Sequence, residues 1–263
     1  MRFLLIARCL LLMMLCCAGA GMRLHAQPLN KGRIAILGDS IAYAGHWANE
    51  VENTLRDDKK FAACEIVNFA VPSETVAGLS EYGHAGGRFP RPCLHERLSR
   101  ILKMYQPQLI LACYGMNDGL MQAFDKARFQ AYQEGNIRLK KAADAVKAEI
   151  VFITPPLFRG DSAEQAEYDA VLDKYAEWLV SKRKDGWKVI DIRPGLRKLI
   201  AREKAGNPGF RYSGDGVHPG PEGHHMIARE VLAGLVPEIG LAPEVAEKDH
   251  RPKIGRASCR ERV

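Results

Sequence analysis

Ile34-Ala35-Ile36-Leu37-Gly38-Asp39-Ser40 is an apolar run that ends in a glycine and two polar residues. Apolar residues at successive positions, rather than alternate ones, mark a strand covered on both faces, and hence a parallel sheet. The serine then stands on the turn at the strand's carboxyl end. The same order recurs at Leu109 to Tyr114, followed by Gly115-Met116-Asn117-Asp118. Far downstream, Asp215-Gly216-Val217-His218 sets a carboxylate three residues from an imidazole. A hydroxyl that needs a base, a base that needs an orienting acid, and an amide donor are the set required for acyl transfer by serine.

Around these blocks, apolar runs alternate with helix-length amphipathic stretches. The strands read as Arg33–Leu37, Glu65–Asn68, Leu109–Tyr114, Ile150–Thr154 and Val189–Asp191. The helices read as Ala44–Asp57, Leu94–Tyr105, Asp125–Ala148, Ser162–Arg183 and about Pro221–Leu235. This alternation predicts an α/β fold, a doubly wound three-layer sandwich. Ligands of such sheets bind beyond the carboxyl ends of the strands, where every residue quoted above falls. Trp47, Tyr168, Tyr175 and Trp178 sit at helical spacings that place them in the core.

Gly38-Asp39-Ser40, Gly115-Met116-Asn117-Asp118 and Asp215-Gly216-Val217-His218 resemble three of the four signature blocks of the SGNH (GDSL-type) hydrolases, over roughly residues 33–236. The resemblance implies a flavodoxin-like parallel sheet of order 2-1-3-4-5 and esterase or lipase-like activity without a metal or other cofactor. Ser40 is then the nucleophile, His218 the base and Asp215 its orienting acid. The Ser40 N–H and the Asn117 amide serve the oxyanion. The remaining family block is Asn-x-Gly-x-x-Gly-x-Thr, whose second glycine donates a backbone N–H to the oxyanion. Here it reads Asn68-Phe69-Ala70-Val71-Pro72-Ser73-Glu74-Thr75, with Ala70 and Ser73 in place of both glycines. Ser73 can still donate its N–H if its φ is one that a residue with Cβ tolerates. Gly78 is the weaker substitute.

Other residues read as support. Asp39 stabilises the turn, and Asp118 holds its loop through side-chain to backbone bonds. His224-His225 open the last helix without metal-ligand spacing. With the implied strand order, Cys64 and Cys113 are separated by a strand, roughly 10 Å apart and too far for a disulfide. Both read as buried thiols and Cys93 as a loop thiol. The Gly/Pro-rich insertion Gly83–Pro92 is the one long irregular segment. It borders the predicted cleft, so His84, Arg88 and Phe89 are the candidate substrate-binding residues. No glycine-rich phosphate loop is present, and nucleotide use is unsupported.

The chain ends read differently from its body. Arg2 and Arg8, the apolar stretch Cys9 to Ala20 and the small residues Ala18-Gly19-Ala20 describe a secretory signal peptide, read as residues 1–26, with cleavage after Ala26 preferred to cleavage after Ala20. The apolar run is shorter than the roughly 20 residues a spanning helix needs, so no stable membrane insertion is expected after cleavage. Residues 27–240 form the expected hydrolase domain, and 241–253 a linker or the start of a truncated extension. Ile254 to Val263 resemble the conceptual translation of a sequencing adapter rather than protein sequence. The formal charge is +7 and the pI about 9.0. The leader and tail account for five of those charges, leaving about +2, which argues against nucleic acid as a partner.

These readings predict an exported esterase, periplasmic or secreted. Its substrates would be small-molecule or carbohydrate esters, short acyl groups on carbohydrate foremost. A lysophospholipase or thioesterase is the enzymatic alternative. A noncatalytic carbohydrate-binding domain is the alternative from another class, and it has no use for Ser40, Asn117, Asp215 and His218 together.

Overall fold

The computed structural model describes residues 32–158 and 163–247. The leader read over 1–26, Ser162 and the tail read over 254–263 lie outside the described residues. The elements run β1 (Arg33–Gly38), α1 (Ser40–Tyr43), α2 (His46–Asp57), β2 (Glu65–Asn68), α3 (Leu94–Tyr105), β3 (Leu109–Cys113), α4 (Lys126–Ala145), β4 (Glu149–Ile153), α5 (Ala163–Ser181), β5 (Lys188–Ile190), α6 (Arg193–Gly206), α7 (Pro221–Ile239) and α8 (Pro243–Ala246). The five strands are all parallel, in the order β2-β1-β3-β4-β5. That is the order and fold class expected from the sequence.

The central strands β1 and β3 are buried along nearly their whole length, as unbroken apolar runs must be when helices cover both faces. Each fully buried Ile or Leu there contributes about 1.5–3 kcal/mol relative to exposure. Trp47, Tyr168 and Tyr175 are core residues, with Trp178 packed against them. Cys64, just before β2, and Cys113, at the end of β3, are buried and not disulfide-bonded, with β1 between the two strands, and Cys93 is a half-buried thiol.

Three differences from the sequence reading have physical causes. The helix expected from Ala44 starts at His46, because Gly45 at φ +85° separates α2 from the short α1. A helix absent from the periodicity, α6, begins with Pro194 in its first turn, where a missing N–H costs nothing. The last helix continues through Pro237 to Ile239. Among the described residues, no helix is long and apolar enough to cross a membrane.

Register fixes where the site lies. Gly38 pairs with Cys113 and Ile36 with Asn68, so β1, β2 and β3 end side by side at one edge. The loops bearing Ser40, Ser73 and Asn117 leave from that edge. At the opposite, amino end of the strands a groove of about 770 Å³ is bordered by Arg33, Leu102, Gln106 and Val146. None of the motif residues borders it.

Candidate active site

Ser40 is placed by a strand that becomes a helix within two residues. Asp39 caps the helix, its carboxylate accepting the Ile41 N–H at 2.9 Å. Glycine is required at position 38, because a Cβ there would meet Ala42 Cβ at 2.8 Å and the Cys113 carbonyl at 3.1 Å. Ser40 is the first residue of α1, so its own N–H has no intrahelical partner. Asn68 ties the neighbouring loop to this turn. Its amide donates to the Ala42 carbonyl at 2.7 Å and accepts the Ala70 N–H at 3.0 Å.

The imidazole comes from a short loop before α7. Asp215 folds that loop on itself: one carboxylate oxygen accepts the Val217 and His218 N–H groups at 2.8 and 2.7 Å and the Ser213 hydroxyl at 3.0 Å. The other oxygen meets His218 Nδ1 at 2.7 Å. Burial acts upwards on this carboxyl, but the His218 side chain and these N–H donors outweigh it and hold Asp215 well below the usual carboxylate range. An ionised carboxylate only accepts, so Nδ1 carries the proton and Nε2 offers a lone pair. Nε2 lies 2.8 Å from Ser40 Oγ, across 178 positions of sequence. The His218 and Asp215 side chains are half-exposed.

Ser73 adopts φ +63°, the left-handed region that favours glycine. The turn therefore keeps a glycine-type backbone although a serine occupies it. It is held from the next residue. Glu74, fully buried, receives both prongs of Arg97 at 2.6 Å and the Tyr114 hydroxyl at 2.6 Å. The Ser73 N–H has no hydrogen-bond partner among the described residues. Asn117 is buried, and its amide donates one N–H to the Glu74 carbonyl at 3.2 Å, leaving the second free. Ser40, at the start of α1, and Ser73 and Asn117, on two loops, thus follow three strands at one sheet edge, each with an N–H unengaged among the described residues.

Two acids lie beneath. Burial pushes the Asp39 carboxyl up to about 6, partly opposed by the Ile41 N–H and by His218. Burial likewise pushes Asp118 up to about 7. Asp39 bonds its own turn, as the sequence suggested, whereas Asp118, expected to hold its own loop, accepts the Ala77 N–H of another. Buried His224 packs at a tilt against His46, ring centroids 5.0 Å apart, and His225 meets Glu50 at 2.8 Å. Both histidines join α7 to α2. Among the described residues, no group of three or more His, Cys, Asp or Glu side chains could hold a metal ion.

The insertion forms an open pocket of about 740 Å³ lined by Tyr82, His84, Arg88 and Phe89 among others. Tyr82 is fully exposed and Phe89 half so, while Arg88 donates through Nε to the Ala85 carbonyl at 3.0 Å. The structure turns His84 inward rather than leaving it free. Its Nδ1 is 3.1 Å from Glu81, Nε2 is buried without a partner, and its ring meets Phe89 edge-on at 5.8 Å. Glu81, Arg91, Glu74 and Tyr82 were not picked out by the sequence. Their signal was faint: an acid and a base, ten residues apart, bracketing a glycine-rich loop.

A profile of the GDSL-like lipase/acylhydrolase family matches residues 36–226. No curated protein matches the chain in sequence. Among solved structures, a catalytic mutant of Axe2, an acetylxylan esterase from Geobacillus stearothermophilus, superposes with TM-score 0.60 at 16% identity, covering 78% of this chain and 94% of that one. A gut microbial diltiazem-metabolizing enzyme gives TM-score 0.59 at 17% identity, over 78% of this chain and 47% of that one. An alpha/beta hydrolase from the metagenome of Lake Arreo, Spain, gives 0.55 at 18% identity, over 77% and 94%. At these identities the likeness is one of fold.

Proposed function

The chain belongs to the GDSL-like lipase/acylhydrolase family and is a carboxylic ester hydrolase; from that premise we propose an exported serine esterase that removes short acyl groups, acetyl foremost, from carbohydrate. The observation that carries this reading is the Ser40–His218–Asp215 chain of hydrogen bonds, 2.8 and 2.7 Å, at the edge of the sheet.

In this reading the Ser40 hydroxyl gives its proton to His218 Nε2 as Oγ bonds to the ester carbon. The carbonyl oxygen becomes an oxyanion held by the N–H groups of Ser40, Ser73 and Asn117. The tetrahedral intermediate expels the alcohol, which takes the proton back from His218 and leaves acyl-Ser40. Water then attacks the acyl carbon, losing its proton to His218, and collapse returns the proton to Ser40 as the acid departs. Asp215 stabilises the imidazolium at each half.

The carbohydrate assignment is supported by the fold shared with acetylxylan esterases and by the insertion. Exposed Tyr82 and Phe89 offer faces on which sugar rings stack, and Arg88 offers donors for hydroxyls. Export is supported by the basic, apolar and small-residue pattern of residues 1–26. A chromogenic ester panel from acetyl to palmitoyl, followed by acetylated oligosaccharides, tests the reading. The expected result is a maximum at acetyl and faster turnover of the sugar ester. A maximum at long chains would replace it with the lipolytic alternative.

A further inference from the structure

Arg91 belongs to the insertion, yet its side chain is buried, only 6% exposed. Its guanidinium spends its fork on Glu81, with Nε to Oε2 at 2.7 Å and Nη2 to Oε1 at 2.8 Å. The remaining arm, Nη1, donates to Asn117 Oδ1 at 2.9 Å. The Arg91 backbone N–H also donates to the Ser80 hydroxyl at 2.9 Å, closing the base of the loop. A guanidinium donates and never accepts, so the oxygen of the Asn117 amide must face it and the nitrogen must face away. On the far side the Glu74 carbonyl takes one of the two N–H groups. The amide plane is clamped from both ends, with a single N–H left over.

We propose that Arg91 is a positioning residue for ester hydrolysis, aiming and strengthening the free Asn117 N–H as an oxyanion donor, with Glu81 holding Arg91 in place. The proposal rests on the reading of Asn117 as an oxyanion donor. A positive charge on the amide oxygen, away from water, draws electron density toward it and leaves the nitrogen more positive. The gain grows as negative charge develops on the reacting carbonyl, so it lowers the barrier more than it strengthens substrate binding. Glu81 neutralises the buried cation. Its desolvation acts upwards, but the bonds from Arg91, the loop backbone and His84 bring its carboxyl down to about 2, so the pair is ionised at neutral pH. Lysine cannot replace arginine here, because one ammonium cannot span a carboxylate fork and an amide oxygen in the same geometry.

The test uses the full chain and a small chromogenic acetate. Arg91→Met combined with Glu81→Gln, which leaves no unpaired charge, is measured alone and on an Asn117→Ala background, with folding checked by circular dichroism. The expected loss in kcat is about 10–100-fold, below the 10²–10³-fold typical for removing a whole donor. KM should stay within about threefold, and no further loss should appear on the Asn117→Ala background. Added guanidinium should restore part of the rate of Arg91→Ala. If the double variant does not fold, Arg91→Lys, which keeps the charge, should still lower kcat at least about fivefold. A loss that persists on the Asn117→Ala background, a loss confined to KM, or an unchanged kcat would overturn the role of Arg91 while leaving Asn117 in place. An Asn117→Ala variant as fast as wild type would remove the premise instead.

Discussion

The Asp118 carboxylate accepts the backbone N–H of Ala77 at 2.7 Å, across 41 positions. One bond thus joins the loop that carries Asn117 to the loop that follows Ser73. The two candidate oxyanion loops are tied by an acid whose second oxygen is buried and unpartnered.

That acid gives a pH prediction. Burial raises Asp118 from 3.8 to about 7, with Asp39 adding to the rise and the Ala77 N–H opposing it. The folded protein keeps a proton that the unfolded chain has already lost, so this group's contribution to stability falls as pH rises from about 4 to about 7. Asp118→Asn has no such proton to lose. The stability of wild type relative to that variant should decline across this range by on the order of 1–4 kcal/mol. Urea melts at pH 4.5 and 7.5 read it, and an unchanged gap between the two proteins would reject it.

Ser40→Ala should lower kcat by about 10⁴–10⁶ and leave the thermal midpoint nearly unchanged, because the hydroxyl is held only by His218. Adding Asp215→Ala or His218→Ala to it should cost almost nothing more. Activity within tenfold of wild type in Ser40→Ala, or additive losses, would count against a single hydrolytic unit.

Ser73→Gly should keep kcat within about threefold of wild type. Only the backbone N–H is asked to act at this position, and φ +63° suits glycine at least as well as serine. Ser73→Val, strained at positive φ, should fall by tenfold or more in kcat and lose about 1–2 kcal/mol of stability. A large loss in the glycine variant would mean that the hydroxyl itself takes part.

Tyr82→Ala and Arg88→Ala should raise KM for an acetylated oligosaccharide about five- to tenfold and leave a small chromogenic acetate within twofold, since neither side chain supports the oxyanion loops. Equal losses on both substrates would place the insertion in support of the chemistry. No loss on either would return it to ordinary surface.

Why some of this could be read from sequence is a matter of range. The strands announce themselves because β1 and β3 are apolar at almost every position, and Ser40 and Asn117 follow those runs directly. Asp215 and His218 share a loop of four residues, so their pairing needs no knowledge of the fold. The pairing of Arg91 with Glu81 and Asn117 depends instead on the path of an irregular loop that no periodicity encodes. Isolated charges in such a loop read as solvent-facing. Ser73 shows a subtler limit: the residue type departs from the family pattern while its φ of +63° is still one that favours glycine. The helix α6 stayed hidden because Pro194-Gly195 resembles a break, whereas proline in a first turn is a start.

The separation of Ser40 and His218 by 178 positions sets the order in which activity can arise during synthesis. A nascent chain that has made the sheet already carries the serine, the amide and the left-handed turn, but no base. On the proposed assignment of His218 as base, hydrolysis waits for the loop at 213–218 and for α7 to seat against α2, where His225 reaches Glu50 and His224 packs at a tilt against His46. On that assignment a partly made or clipped chain is inert toward esters, and turnover itself reports that the final helix has docked.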